Sequence, residues 1–320
     1  MSGPAAAGAS DRRLLFIGAG ERADAWIPAF AAKAPDVPFV VHRDGMDLGG
    51  FRYAIIWRPN APVISQLVDL EVIFGMGAGV ERLLADPSIP ARVPIVRMVE
   101  PGLTGGMVEY VLWQTIFHHR RIWELEAGQR AARWVDQYYP APWERRIGIL
   151  GLGELGSAAA RLLADYGFKV RGWSRTRKSV DSVECFAGRA ELPRFLDGLD
   201  ILVCLLPLTP ETHGILNAGL FQHLPMGATL INAARGGHLN EADLLAALAT
   251  GRIVAATLDV FHVEPLPAGH PFWGHPRIFM TPHNASLTHP ATAAVEIRRQ
   301  IDRHQAGLPL EHVADRARGY

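Results

Sequence analysis

Three polar side chains with complementary chemistry each follow an apolar run in the second half of the sequence. Arg235 lies in Asn-Ala-Ala-Arg-Gly-Gly, Glu264 in His-Val-Glu-Pro-Leu-Pro and His283 in Thr-Pro-His-Asn. Because open α/β sheets bind ligands at the carboxyl ends of their strands, we expect these side chains to meet at one sheet edge. Reducing a 2-oxo acid needs a fixed cation and a proton donor, and a carboxylate beside an imidazole favours its protonated form.

Each of these residues also has a plainer structural interpretation. Arg235 could cap the edge of a sheet, Glu264 could be a surface acid before a proline, and a single histidine is more often structural. Four further histidines lie in the same part of the chain: His262, His270, His275 and His289. A metal site would need a tight tetrahedral set of ligands, and these residues are spread over proline-containing loops. We therefore predict no metal.

A glycine-rich motif marks a candidate dinucleotide site. Gly151-Leu152-Gly153-Glu154-Leu155-Gly156 follows the apolar run 147–150 and opens a helical stretch. Glycines there permit a tight turn and close approach of the backbone to a pyrophosphate, which a helix N-terminus favours. A second motif, Gly18-Ala19-Gly20-Glu21-Arg22-Ala23, is not followed by a six-strand series. We assign dinucleotide binding to the first motif and an ordinary strand-to-helix turn to the second.

The residues after the next predicted strand favour one nicotinamide cofactor over the other. This turn carries Ser174, Arg175, Arg177 and Lys178, with no acid before Asp181. An acid would accept hydrogen bonds from a ribose 2′-hydroxyl and repel a 2′-phosphate, whereas these cations and the hydroxyl fit a phosphate dianion. An exposed basic turn is the alternative. We predict that NADP(H) is preferred and that NAD(H) is possible.

Short β-type runs alternate with helical stretches, the pattern of parallel sheets covered by helices. In the first part we predict strands at 14–17, 39–42, 53–57, 71–74 and 94–98, then one helix over 107–129. A second series of six strands is predicted at 147–150, 169–173, 201–206, 229–232, 254–258 and 278–281.

The length of 320 residues favours two domains. The residues after His283 are too few for a domain, so a helix predicted over about 290–306 must return to the first one. We predict a smaller flavodoxin-like α/β substrate domain from 1–113 and 289–320. Residues 114–288 are predicted to form a doubly wound Rossmann-type dinucleotide-binding domain, with the active site between the two domains.

Composition excludes several other classes of protein. The formal net charge is zero, which provides no electrostatic footprint for nucleic acid or an anionic membrane. The two cysteines cannot form a disulfide framework. No apolar run approaches the ~20 residues of a membrane span, and the Ala/Gly/Ser-rich start lacks the basic region of a signal peptide. We expect a cytoplasmic protein that binds neither nucleic acid nor membrane.

From about residue 53 to residue 320 the chain resembles the D-isomer-specific 2-hydroxyacid dehydrogenases, and within them the glyoxylate/hydroxypyruvate reductases. The N-terminal ~50 residues resemble the family only loosely. The resemblance is carried by the glycine motif, Leu206-Pro207-Leu208-Thr209-Pro210-Glu211-Thr212, the Ala-Arg-Gly stretch at Arg235, Asp259 to Pro267, Thr281-Pro282-His283 and the closing 315–320.

The resemblance implies roles for individual residues. Arg235 would bind the substrate, His283 would contact it as general acid/base, and Glu264 would orient and charge that histidine. Cofactor contacts are implied for Leu206, Pro207, Ala233 and, at the nicotinamide end, Asp259.

In the first domain, Gly77-Ala78-Gly79-Val80 matches the family loop whose amides hold the substrate carboxylate, so Ala78 and Gly79 would bind substrate. Glu81 stands where the family commonly has Asp. Trp57 matches a bulky substrate-side residue, although a half-buried aromatic of no special function fits its position equally well.

Together these features predict hydride transfer from NADPH to the carbonyl carbon of glyoxylate or hydroxypyruvate, with His283 protonating the oxygen. Homodimerisation is implied by the resemblance. One alternative is an NAD-linked dehydrogenase of a bulkier 2-hydroxy acid. Another is a non-catalytic module that senses dinucleotide, since a fold alone does not prove activity.

Overall fold

The structure is a computed structural model that describes residues 10–18 and 23–320. The described chain forms two compact units, one reaching Leu103 and resuming at Leu287–Tyr320, the other formed by Thr104–Ser286. These divisions lie earlier than the predicted ones at 113/114 and 288/289. The reason is that Met107 and Val111 are buried in the same core as Ile149 of the second unit.

The first unit contains a five-stranded parallel sheet with the order β2-β1-β3-β4-β5. Its strands are β1 (Leu14–Ile17), β2 (Phe39–Val41), β3 (Tyr53–Ile56), β4 (Val72–Gly75) and β5 (Ile95–Val96). Every residue of β1, β3 and β4 is buried, as expected for a parallel sheet covered on both faces. The 2-1-3-4-5 order is that of flavodoxin-like folds, which confirms the predicted fold class.

Helices cover both faces of this sheet. They are α1 (Ala23–Lys33), α2 (Ala61–Ile64), α3 (Glu81–Ala85) and, from the end of the chain, α10 (Pro290–Gln305). Ile297 and Ile301 of α10 lie in one buried cluster with Trp26 and Phe30 of α1. The C-terminal helix therefore packs within the first unit.

The second unit contains a seven-stranded parallel sheet with the order β12-β11-β10-β9-β6-β7-β8. Its strands are β6 (Arg146–Leu150), β7 (Lys169–Ser174), β8 (Val183–Ala187), β9 (Ile201–Cys204), β10 (Ala228–Asn232), β11 (Ile253–Leu258) and β12 (Ile278–Met280). From β8 to β11 this is the 3-2-1-4-5-6 order of doubly wound dinucleotide-binding folds. The direction of winding reverses between β6 and β9, where such folds bind their ligand.

Six strands were predicted for this unit, and that number was wrong. The additional strand, β8, pairs with β7 at the edge of the sheet. Only Phe186 of its five residues is buried, so the strand lacks the apolar run that revealed the others.

The helices that complete this part of the chain are α4 (Pro101–His119), α5 (Ile122–Arg130), α6 (Glu154–Asp165), α7 (Gly188–Leu196), α8 (Ala218–Phe221) and α9 (Glu241–Thr250). The single helix predicted over 107–129 is thus two helices, separated at Arg121, which has a left-handed backbone with φ 47°. The first begins earlier than predicted because the Glu100 carboxylate accepts the N–H groups of Gly102 and Leu103 at 2.6 and 2.7 Å. Within the described ranges, no helix is long and apolar enough to span a membrane.

Candidate active site

The glycine motif forms the turn between β6 and α6, and its glycines serve different purposes. Gly151 has φ +105°, and a Cβ there would lie 2.7 Å from the Leu205 carbonyl oxygen. A Cβ on Gly156 would lie 1.8 Å from the carbonyl oxygen of Gly151. Beside Gly153, directly before α6, no atom of a described residue other than its chain neighbours lies within 4 Å of such a Cβ. The fold itself needs Gly151 and Gly156, whereas the space at Gly153 suits a phosphate at a helix N-terminus.

The competing glycine motif falls mostly outside the described residues, which omit 19–22. Its first glycine, Gly18, follows β1, and a Cβ there would approach the Phe16 ring to 2.7 Å. The interpretation of Gly20 as part of an ordinary turn stays a prediction.

Some polar side chains of the basic turn after β7 already make contacts within the protein. Ser174 is buried and donates to the Thr176 carbonyl at 2.7 Å. The side chains of Arg175, Arg177 and Lys178 are exposed. Arg177 donates to the Cys185 carbonyl at 2.8 Å and forms an ion pair with Glu191, so its guanidinium already has partners.

A fourth cation near this turn was missed in the sequence analysis. Arg189 lies in the first turn of α7, directly after β8. A hydrogen bond with Thr209 holds the pKa of Glu211 below its ordinary value, and the charges of Arg175 and Arg189 lower it further. The two arginines therefore lie near the same carboxylate. Arg189 escaped notice because the strand before it was not recognised.

The next group of predicted cofactor contacts lies at the ends of β9 and β10, beside β6. Leu206 and Ala233 are buried, and the amide of Leu205 donates to the Leu150 carbonyl at 2.8 Å. The Pro207 carbonyl accepts the Thr212 hydroxyl at 2.7 Å, which shapes the loop after β9. These residues thus surround the carboxyl end of the strand that leads into the glycine turn.

Arg235 lies three residues beyond β10, and a buried histidine supports it. Its side chain donates to the Ala234 carbonyl at 2.7 Å, and its N–H lies 3.2 Å from Nδ1 of His238. Nε2 of His238 lies 3.2 Å from the Pro207 carbonyl. Nδ1 also lies 3.1 Å from the Arg235 carbonyl, so His238 connects the main chain of Arg235 with the loop after β9. His238 is fully buried and was missed because nothing in the local sequence distinguishes it from the other histidines.

Glu264 and His283 are in direct contact, as the strand-end argument predicted. Nδ1 of His283 lies 2.8 Å from Oε2 of Glu264, whose other oxygen accepts the Phe261 N–H at 3.0 Å. The carboxylate can only accept, so Nδ1 carries the hydrogen of this bond. Among residues 10–18 and 23–320, none hydrogen-bonds Nε2. The side chain is 35% exposed, which leaves that nitrogen accessible to a substrate.

Asp259 follows β11 and is almost completely buried. Its carboxylate accepts the Thr281 hydroxyl at 2.6 Å and the N–H groups of Asn284 and Ala285 at 2.9 and 3.1 Å. These contacts organise the loop that carries His283. The contact with the nicotinamide end that the resemblance implies for Asp259 stays a prediction.

The predicted substrate-side residues of the first unit lie together. Trp57 follows β3 and is half-buried, and the turn 77–80 follows β4. A Cβ on Gly77 would lie 3.2 Å from the Trp57 ring, so the ring packs on this turn. No described residue accepts a hydrogen bond from the amides of Ala78 or Gly79. Neighbouring backbone N–H groups without protein acceptors are suited to holding a carboxylate.

Comparison with known proteins agrees with this geometry. Residues 112–285 match the family model described as D-isomer specific 2-hydroxyacid dehydrogenase, NAD binding domain. A glyoxylate/hydroxypyruvate reductase A of Yersinia enterocolitica is 41% identical over 300 residues, covering 92% of this chain and 96% of the relative. The chain belongs to the D-isomer specific 2-hydroxyacid dehydrogenase family.

Two solved structures resemble this dehydrogenase over nearly its whole length. A family member from Xanthobacter autotrophicus Py2, in complex with NADPH and MES, is 42% identical with a TM-score of 0.93, covering 97% of this chain and 100% of that one. An NADPH-dependent glyoxylate/hydroxypyruvate reductase from Sinorhizobium meliloti, in complex with NADP and sulfate, is 39% identical with a TM-score of 0.91, covering 96% and 99%.

Membership of the 2-hydroxyacid dehydrogenase family confirms the predicted enzyme class, an NAD(P)-dependent oxidoreductase. The residues of the second unit fit a dinucleotide, since the glycine turn leaves open space at a helix N-terminus and exposed cations follow the next strand. In the part of the chain that the structure describes, no group of three or more His, Cys, Asp or Glu side chains could hold a metal ion. The roles of individual residues stay predictions.

Proposed function

We propose that this dehydrogenase reduces glyoxylate and hydroxypyruvate to their 2-hydroxy acids with NADPH as the preferred reductant. The contact between Nδ1 of His283 and Glu264 carries the proposal, because it leaves Nε2 as the ring nitrogen available for proton transfer. The dinucleotide supplies the hydride when it is bound. The names of the relatives from Yersinia enterocolitica and Sinorhizobium meliloti support this choice of substrates.

Proton transfer is assigned to the pair formed by His283 and Glu264. His283 gives the proton on Nε2 to the carbonyl oxygen as the hydride reaches the carbon, and takes it back in the reverse direction. Glu264 accepts from Nδ1 and so fixes the ring orientation, while its negative charge stabilises the imidazolium. The carboxylate is itself held by the Phe261 N–H.

Binding of the acid is assigned to a charge and to backbone amides. Arg235, three residues beyond β10, supplies a permanent cation for the carboxylate and carbonyl oxygens. The amides of Ala78 and Gly79 are assigned as donors for the carboxylate, and the Trp57 ring packed on their turn is assigned to the choice of short acids.

The cofactor preference is assigned to the exposed cations after β7 and β8. We assign contact with the 2′-phosphate to Arg175, Arg177 and Lys178, whose side chains are exposed at this turn. Arg189 adds positive charge beside them. The stretch 174–178 contains no acid that would accept from a 2′-hydroxyl and repel the phosphate.

Initial-rate assays test this function. Glyoxylate, hydroxypyruvate and pyruvate are compared with NADPH and NADH, using His283→Ala as the control for contaminating activity. We expect the highest kcat/KM with NADPH and one of the first two acids. Higher kcat/KM with NADH and a bulkier 2-oxo acid would favour the NAD-linked alternative. Dinucleotide binding without turnover of any acid would favour a sensing module.

We further infer that the protein is a cytoplasmic homodimer. Large aromatic side chains are exposed along the segment 113–143, with exposed fractions of 55% for Trp113, 93% for Trp134, 87% for Tyr138 and 66% for Trp143. Exposed apolar surface of this extent marks protein interfaces. Light scattering of native protein should give twice the monomer mass. Trp134→Ser with Tyr138→Ser should shift it toward the monomer, whereas Tyr166→Ser, an exposed aromatic outside the segment, should not.

A further inference from the structure

A chain of hydrogen-bonded hydroxyl groups connects helix α4 with the loop that carries His283. The Tyr110 hydroxyl lies 2.7 Å from Oγ1 of Thr281, and Oγ1 of Thr281 lies 2.6 Å from Oδ1 of Asp259. Tyr110 is 6% exposed and Asp259 is 2% exposed. The two ends of the chain are therefore buried, and both depend on Thr281 as a hydrogen-bond partner.

The hydrogen-bond directions in this chain are determined by the groups themselves. A carboxylate oxygen accepts, so Thr281 gives its single hydroxyl hydrogen to Asp259. Thr281 can then only accept from Tyr110, which donates. The two other partners of the carboxylate, the N–H groups of Asn284 and Ala285, are donors as well. All three of these partners therefore donate a hydrogen bond to the Asp259 carboxylate.

The same aspartate holds the main chain of His283. The His283 N–H donates to the main-chain oxygen of Asp259 at 2.8 Å. His283 has φ +52°, a left-handed conformation that residues other than glycine adopt only where their surroundings enforce it. Asp259 enforces it from both sides, through Thr281 before the histidine and through Asn284 and Ala285 after it.

We propose that Asp259, Thr281 and Tyr110 are positioning residues that hold the proton donor His283 in its working orientation. Glu264 fixes only the imidazole ring, through Nδ1, whereas this chain fixes the backbone from which the ring projects. A displacement of 1 Å in a reacting group can cost about 100-fold in rate. The inference rests on the proposed function, since it concerns the histidine assigned there to proton transfer.

A matched pair of substitutions at Thr281 tests the proposal. Thr281→Val keeps the shape but removes the hydroxyl, and Thr281→Ser keeps the hydroxyl. We expect Thr281→Val to lower kcat by about 10- to 100-fold while KM for NADPH changes less than about twofold. Thr281→Ser should stay within about threefold of native kcat. Tyr110→Phe, which leaves the bond between Thr281 and Asp259, should lower kcat by about two- to tenfold.

Two further measurements separate positioning from a general loss of folded protein. With NADPH deuterated at the transferred hydrogen, the isotope effect on kcat should rise in Thr281→Val, because a displaced His283 slows the hydride-transfer step itself. A smaller fraction of active protein would leave the isotope effect unchanged. The second measurement uses Thr281→Val and native protein, both labelled with 15N-histidine and without cofactor. The Nδ1–H signal of His283 should exchange with solvent faster in Thr281→Val than in native protein.

The proposal is overturned if Thr281→Val keeps native kcat, or if kcat, NADPH affinity and Tm fall together while the isotope effect stays constant. If Thr281→Val does not fold, Tyr110→Phe decides the question, and unchanged kcat in that variant overturns the proposal. Native protein that reduces none of the acids would contradict the proposed function instead. The histidine signal would still report whether the chain positions the ring.

Discussion

Nδ1 of His283 lies 2.8 Å from the Glu264 carboxylate, although 19 residues separate them in the sequence. The bond occupies one ring nitrogen, and no described residue hydrogen-bonds the other. The Phe261 N–H donates to the same carboxylate, so the position of the group that orients the His283 ring is itself fixed by a hydrogen bond. Preorganisation of this kind keeps a general acid at a reacting distance.

Replacing the acid itself should separate catalysis from binding. We expect His283→Ala to lower kcat for glyoxylate reduction by about 100- to 10,000-fold, the usual size of general-acid catalysis. The Kd for NADPH should stay at the native value, because the glycine turn and the basic turn are untouched. Steady-state rates and fluorescence titration measure both quantities. A variant with native kcat would remove His283 from the mechanism.

Glu264→Gln tests the charge of the histidine's partner with little change in shape. We expect kcat to fall by about 10- to 100-fold, less than in His283→Ala, because the acid remains but its charged form loses a counter-ion. Tm should change little, whereas Glu264→Ala should lower it by leaving the Phe261 N–H without its acceptor. If Glu264→Gln is as active as native enzyme, the carboxylate has only a structural role.

The glycines of the nucleotide loop should respond differently to the same added methyl group. Among the described residues beyond its chain neighbours, none lies within 4 Å of a Cβ on Gly153, so Gly153→Ala should keep native Tm but weaken NADPH binding severely. Gly156→Ala places its Cβ 1.8 Å from the Gly151 carbonyl and should lower Tm strongly. Thermal unfolding without cofactor and dinucleotide titration test this. Native NADPH affinity in folded Gly153→Ala would place the pyrophosphate elsewhere.

The cations of the basic turn should determine the choice of cofactor. Arg175→Ala should raise KM for NADPH by about 10- to 150-fold, the loss of a charge-assisted contact, with KM for NADH nearly unchanged. Arg177→Ala should also raise KM for NADPH and, because that guanidinium pairs with Glu191 and the Cys185 carbonyl, should lower Tm as well. Initial rates with both dinucleotides and thermal unfolding measure these effects. An unchanged KM for NADPH in Arg175→Ala would remove that residue from the 2′-phosphate site.

His118 should make stability depend on pH. Its Nε2 lies 2.8 Å from the Thr257 hydroxyl, which donates to Gln114, so Nε2 carries the hydrogen. Nδ1 is buried and has no hydrogen-bond partner in the part of the chain that the structure describes. Burial lowers the pKa of His118 from 6.5 to about 3. Below pH 6.5 the unfolded chain therefore binds a proton that the folded chain excludes, and stability is lost as pH falls toward 3.

The expected slope from this histidine is about 1.4 kcal/mol per pH unit over that window. Urea unfolding of native protein and His118→Gln at pH 7, 6 and 5 measures it, and the difference between them isolates this residue from the other titrating groups. Equal slopes in the two proteins would show that His118 is accessible to protons in the folded state.

Much of the architecture follows from local sequence. Alternating apolar runs and helical stretches predicted the two series of parallel strands, because a strand buried on both faces must be apolar throughout. The glycine motif marked the nucleotide turn for a local reason too, since Gly151 and Gly156 are required by contacts within that turn and its neighbouring loop. Arg235, Glu264 and His283 were found because each follows a recognisable strand.

Other features depend on contacts that no local pattern encodes. β8 forms at a sheet edge with one buried residue, so only its pairing with β7 defines it. Arg121 ends a helix in a left-handed conformation without a glycine to signal the break. Tyr110 reaches Thr281 across 171 residues of sequence. Hydrogen bonds between such distant groups arise only when the packed sheet and helices bring them together, which is why the support of His283 is a property of the tertiary structure.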